Sequence, residues 1–142
     1  MKHKKAANVY IPANVSSAGG TVKDHWILIH INVMHQRIYV YDSQGRPENY
    51  QSLTTQIRDW WEDGQAASAA LQKETGGVCV RQQDAYNCGT MVCLALRRLL
   101  LKRRRPTAIK DWHHTGDVVQ WRWHIITELA RDKVEDMDEE QQ

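Results

Sequence analysis

The sequence predicts an α+β fold in which a small twisted sheet packs on a helix, and three observations carry that expectation. Trp26–Val33 (WILIHINV) is a nearly continuous apolar run, the pattern of a strand covered on both faces. Arg37–Asp42 (RIYVYD) is rich in β-branched and aromatic residues and reads as its partner strand. Only Met34, His35 and Gln36 separate the two, too few for anything but a hairpin turn. Further on, an apolar stretch from Cys88 or Gly89 to about Lys102 reads as a helix, and Pro106 bars its continuation.

The remaining elements follow in order. Val9–Pro12 is a short strand, followed by a Ser/Gly loop through Gly20. Ser52 is placed to cap a helix through about Asp63, with Leu53, Ile57 and Trp60 or Trp61 at helical spacing. Gly64 ends it, and the Ala-rich stretch to Gly77 reads as a surface loop or short helix. A short strand is expected at Val78–Val80, then a polar turn before Cys88. The last helix, roughly Asp117–Lys133, carries Val118, Trp121, Ile125 and Leu129 on one face. The polar, acidic tail from Glu135 is expected to be disordered.

Composition narrows the function classes. With 142 residues the chain is one domain, and 42% hydrophobic residues with six tryptophans argue for a folded body. A net charge of +2 gives no whole-molecule case for nucleic-acid binding. No apolar run reaches the roughly 20 residues of a membrane helix. No apolar signal core follows the basic start Met1–Lys5. Three cysteines without a secretory signal suggest a reducing, intracellular compartment, nucleus or cytoplasm. Cys79 and Cys93 read as small buried hydrophobes.

Two geometric expectations bring in chemistry. If Val33 and Met34 centre the hairpin, His25 falls opposite Asp42. Directly opposed Cβ atoms lie about 4.5–5.5 Å apart and diagonal ones about 7–8 Å. An Asp that holds a His in one tautomer needs such proximity. On spacing alone, a polar pair at the end of a sheet is the better reading. Cys88 stands between the polar turn Gln82–Asn87 and a helix, where unpaired backbone N–H groups and the helix dipole favour thiolate. Gly89 permits close backbone approach of a substrate. The Cys88 amide, with an upstream donor such as Gln82, can bind a developing oxyanion. Composition alone favours a buried structural cysteine; His, Asp and Cys together, each at an element end, tilt the balance.

Four stretches resemble the ubiquitin-like-protein proteases, the SUMO/sentrin-specific group with its adenoviral-protease relatives. They are Val9–Asn14 (VYIPAN), Asp24–Ile29 (DHWILI), Arg37–Gly45 (RIYVYDSQG) and Gln82–Cys93 (QQDAYNCGTMVC). With the final helix they span residues 9 to about 130, in the family's order. The resemblance implies a papain-like cysteine protease fold, with a sheet carrying His and Asp packed on a helix presenting the Cys. It implies His25 as general base, Asp42 as its orienter, Cys88 as nucleophile and Gln82 as oxyanion-hole donor, with Gln83 competing for that last role. Trp26 would line the channel for a diglycine tail, beside Gly89; as a residue by itself it also reads as a core aromatic.

The implied activity is hydrolysis of peptide or isopeptide bonds after the C-terminal glycine of a modifier such as SUMO. The expected partner is a ubiquitin-like protein or its conjugates, with no membrane, no nucleic acid, no cofactor and no metal, and a monomeric state. Two other functions come from neighbouring classes: acetyl transfer to hydroxyls, as in a related bacterial group, and non-catalytic or weakly active binding of a ubiquitin-like protein. The family usually has Asp before the nucleophile and Val–Phe after Cys–Gly, where this chain has Asn87, Thr90 and Met91. Its catalytic domain also carries a further N-terminal segment. The implied organisation is therefore a partial catalytic domain over residues 9–133, a basic tail over 1–8 and an acidic tail over 134–142.

Other motifs read as structure. His113 and His114, with Asp111 and Asp117, are adjacent loop residues without the spacing of a tetrahedral metal site. Lys102–Arg105 (KRRR) reads equally as a nuclear localisation signal or acidic-partner patch and as a solvated helix end continuing Arg97 and Arg98. Trp121 and Trp123 beside Arg122 and His124 read as core packing ahead of base stacking.

Overall fold

Ile27 to Ile31 are buried without a break because helices cover both faces of the strand that holds them. The structure, a computed structural model, describes residues 7–15, 24–64, 70–73, 77, 79, 81–82, 86–102 and 118–131. Three antiparallel strands form the sheet: β1 (Asn8–Val15), β2 (His25–Asn32) and β3 (Arg37–Tyr41). After α1 (Gln51–Gly64), a two-residue strand β4 (Gln72–Lys73) joins β3 in parallel, giving the order β1-β2-β3-β4. Helices α2 (Cys88–Lys102) and α3 (Val118–Arg131) follow.

Side chains alternate across the sheet, so each face has its own core. Ile27, Ile29, Ile31, Ile38 and Val40 form one, against which Leu53, Ile57 and Trp61 of α1 pack. Leu28, Tyr39 and Tyr41 form the other with Val92, Ala95 and Leu99 of α2. The spacing Leu53, Ile57, Trp61 selects Trp61 as the packed tryptophan; Trp60 is exposed.

Several boundaries move for identifiable reasons. Asn8, assigned to the tail by sequence, opens β1 opposite Asn32. Helix α1 begins one residue before Ser52, with the Tyr50 carbonyl accepting from Thr54 N at 2.9 Å, so Ser52 lies inside the helix. The hairpin turn takes four residues, Val33 to Gln36. The Asn32 side chain accepts from His35 N at 3.0 Å, and Gln36 adopts φ 53°. Asn32 consequently pairs with Arg37 and Leu28 with Tyr41, which carries the ladder two residues away from the expected register. A shift of two keeps every side chain on its face.

Helix α3 docks on α2 through a polar pair, which corrects the expected apolar stripe. Arg97 donates from Nε to Glu128 at 3.0 Å, both side chains being buried, and His124 joins the same carboxylate at 3.0 Å. The Arg97 guanidinium also lies 5.7 Å from the Trp121 ring centre. Trp121 and Glu128 therefore occupy the interface, Ile125 is half-buried, and Leu129 and Trp123 are exposed. Arg97 and Arg98 are buried rather than solvated. Cys93 is exposed on the outer side of α2, not a core hydrophobe. Cys79 lies beside β3 outside any strand; Val78 and Val80, Arg103–Arg105, His113, His114 and both expected tails beyond residues 7 and 131 lie outside the described residues. Among the described residues no helix is long and apolar enough to cross a membrane.

Candidate active site

The site forms where β2 begins and β3 ends. In the observed register Asp42 comes opposite Ile27, so His25 sits on its diagonal, on the same face. The His25 Nε2 to Asp42 Oδ1 distance is 2.7 Å, and both residues are buried. A carboxylate only accepts, so in the neutral ring Nε2 carries the hydrogen and Nδ1 keeps its lone pair. That Nδ1 is buried and has no hydrogen-bond partner among the described residues.

Asp42 is itself held by the turn after β3. Its Oδ1 accepts also from Gln44 N at 2.8 Å, and its Oδ2 from Arg46 N at 2.9 Å and Asn49 Nδ2 at 3.3 Å. Burial pushes the Asp42 carboxyl up, but the hydrogen bonds from His25, Arg46 and Gln44 and the charge of His25 outweigh it, leaving it below its ordinary value. Gly45 makes the turn possible. It takes φ +64°, and a Cβ there would run into the Arg81 guanidinium.

Cys88 opens α2. The Asn87 carbonyl accepts from Met91 N at 2.9 Å, so Asn87 stands at the cap position and Cys88 is the first helical residue. Its sulfur is 3.8 Å from the carbonyl oxygen of Asp24, the residue before His25. Asp24 adopts φ 51°, which turns the backbone at the entrance to β2. A thiol at a helix start thus touches the strand end that carries the imidazole. On the outer side, Trp26 is 41% exposed, so it is not a core aromatic. A Cβ on Gly89 would lie 4.0 Å from its Cδ1, so the indole flanks the start of α2.

Gln82 lies beside the Asp42 turn. Its backbone N–H donates to Ser43 O at 3.1 Å, and its side-chain Oε1 accepts from the Ser43 hydroxyl. Gln83, its competitor, lies outside the described residues. Of the residues singled out from sequence, the structure places His25, Asp42, Cys88, Trp26 and Gly89 at this end of the sheet and Gln82 against Ser43 in the turn after β3. Sequence reasoning missed Ser43 and Asn49. Ser43 had a signal, its place directly after Asp42 in the Tyr–Asp–Ser run; Asn49 had none, since its contact depends on the turn's path.

This layout, a helix-borne thiol against a sheet end bearing a carboxylate-bound imidazole, is that of the papain-like cysteine proteases. The chain belongs to the Ulp1 protease family, whose C-terminal catalytic domain matches residues 2–131. Among solved structures it is similar to the SUMO protease Ulp1 with its catalytic cysteine oxidised to a sulfonic acid. The two share 20% identity and a TM-score of 0.59 over 89% of this chain and 54% of that one. It is similar also to the Chlamydia abortus effector protein ChlaDUB, with 12% identity and a TM-score of 0.53 over 93% of this chain and 61% of that one. The chain thus spans little more than half the length of each, and at these identities the likeness is one of fold. A search of curated proteins gave no match.

Proposed function

We propose that this chain is a cysteine peptidase acting after the C-terminal glycine of a ubiquitin-like modifier, with Cys88 as nucleophile, His25 as base and Asp42 as its orienter. The observation that carries the reading is the state of His25. Its Nε2 is committed to Asp42 while its buried Nδ1 is left as an acceptor beside the strand end that Cys88 touches. His25 Nδ1 takes the thiol proton, and the thiolate attacks the scissile carbonyl. The oxyanion is met by the Cys88 amide and the Gln82 carboxamide N–H. The C–N bond then breaks, His25 protonates the leaving amine, and a thioester to Cys88 remains. Water, deprotonated by the same Nδ1, attacks the thioester and returns the thiolate. The Trp26–Gly89 surface suits a tail with no side chains at its last two positions.

The test is a panel of ubiquitin-like proteins carrying C-terminal electrophiles, incubated with the purified chain. A covalent adduct at Cys88 with at least one modifier, lost in Cys88→Ala and strongly slowed in His25→Ala, is the expected result. No adduct with any member, or labelling that survives Cys88→Ala, overturns the proposal.

A further inference from the structure

Ser43 is buried at 4% exposure directly after Asp42, yet the chemistry above gives it no task. Its carbonyl and its hydroxyl both turn to Gln82. Its carbonyl accepts from the Gln82 backbone N–H at 3.1 Å, and its hydroxyl donates to Gln82 Oε1. The segment bearing Gln82 is tied to the end of β3 and to the same turn at further points. Gly77 N donates to Val40 O at 2.6 Å, Cys79 Sγ contacts Asp42 O at 3.2 Å, and the Arg81 guanidinium lies over Gly45.

A carboxamide has two ends of opposite character, oxygen accepting and NH2 donating, and free rotation about its last torsion presents either. An oxyanion is stabilised by the NH2 end and repelled by the oxygen. A hydroxyl that donates to Oε1 fixes which end faces away from it. We infer that Ser43 is a positioning residue that locks the Gln82 carboxamide with its NH2 end presented for the oxyanion, coupling the turn that holds the base's orienter to the oxyanion donor. This rests on the proposed role of Gln82 and goes beyond it by assigning how the donor is aimed.

The prediction is specific to turnover. A mis-aimed donor acts on the tetrahedral state and leaves substrate binding alone. Removing an oxyanion donor outright costs about 10²–10³ in kcat, so a donor that has lost its Ser43 hydrogen bond should cost about tenfold.

The experiment compares wild type, Ser43→Ala, Ser43→Thr, Gln82→Ala and the Ser43→Ala/Gln82→Ala double variant on a SUMO C-terminal coumarin amide, with thermal melts as a folding control. Ser43→Ala should lower kcat about tenfold with KM unchanged, Ser43→Thr should retain most of it, and Ser43→Ala should add nothing once Gln82 is gone. A Ser43→Ala loss of equal size in the Gln82→Ala background, or one confined to KM, overturns the inference. If Gln82→Ala turns over like wild type, the donor role falls and this inference with it. If Gln82→Ala is crippled and Ser43→Ala is not, only the positioning role falls.

A second readout needs no turnover. Relaxation of the ¹⁵N-labelled Gln82 side-chain amide should show an ordered group in wild type and an averaged one in Ser43→Ala. An equally ordered amide in both would overturn the positioning role whatever the kinetics.

Discussion

Asp42 and His25 meet across the diagonal of the β2–β3 ladder, with 2.7 Å between Oδ1 and Nε2, and the turn after β3 supplies the other donors to the same carboxylate. Asp42→Asn keeps the volume but places an NH2 among those donors and favours the wrong imidazole tautomer. Turnover should fall by about a hundredfold or more, by analogy with the loss from the same change in serine-protease triads. The measurement is kcat on the reactive modifier, and a loss below about threefold would show that His25 needs no orienter.

The same carboxylate makes a prediction for stability. Its folded pKa lies below its unfolded one, so its contribution is fully present above the unfolded value, about 3.9, and is lost as pH falls through the folded value. Asp42→Asn should therefore lower Tm at pH 7, and its gap to wild type should narrow as pH is taken from about 7 to about 3. A gap that stays constant or widens on acidification would contradict this linkage.

Thiol labelling should separate the cysteines. Burial pushes the Cys79 thiol up to about 11, whereas Cys88 stands at a helix start. In a Cys93→Ser background, which removes the exposed thiol, iodoacetamide should modify Cys88 well below the pH at which Cys79 reacts. His25→Ala should slow the labelling of Cys88 at neutral pH, because the base that takes the thiol proton is gone. Coincident profiles, read by mass spectrometry, would leave no activated nucleophile.

Glu128→Ala leaves Arg97 charged and buried between α2 and α3. Breaking a buried pair from one side costs about 3–5 kcal/mol, whereas replacing both partners with apolar residues is often neutral. Urea denaturation should show a large loss for Glu128→Ala and a recovery of most of it in Arg97→Met/Glu128→Leu. Equal losses in both would mean that the pair itself, and not the orphaned charge, holds the helices together.

These contrasts show which parts of the molecule were legible. The Trp26–Val33 run announced a two-sided strand because helices on both faces forbid polar alternation, and the structure has that arrangement. His25 and Asp42 were found despite a misplaced turn, because an error of two residues in register preserves the face. Arg97 and Arg98 were misread because Glu128 lies 31 residues from Arg97, and charge next to a basic run looks solvated until the partner is seen. Strand β4 escaped notice because two residues carry no periodicity; its pairing with Arg37 and Ile38 is visible only in three dimensions. Asn49 was passed over because its contact with Asp42 depends on the path of the turn at Gly45, and Ser43 because its partner Gln82 lies 39 residues away.

Gly89 gives the last prediction, in which stability and activity move in opposite directions. Its φ is ordinary and a Cβ there would sit 4.0 Å from Trp26 Cδ1, a normal contact, so Gly89→Ala introduces neither strain nor a clash. Alanine is favoured over glycine in a helix by up to about 1 kcal/mol, less near the first turn, so the variant should melt slightly above wild type. If the backbone of a substrate tail passes between Trp26 and the start of α2, the added methyl narrows that passage. A displacement of about 1 Å at the reacting carbonyl can cost about a hundredfold. Gly89→Ala should therefore reduce kcat/KM on a glycine-tailed modifier by at least about tenfold while its Tm holds or rises. Trp26→Ala, which removes the other wall, should cut kcat/KM with little change in Tm, because the indole is half exposed. Full turnover by Gly89→Ala would move the substrate path away from Trp26.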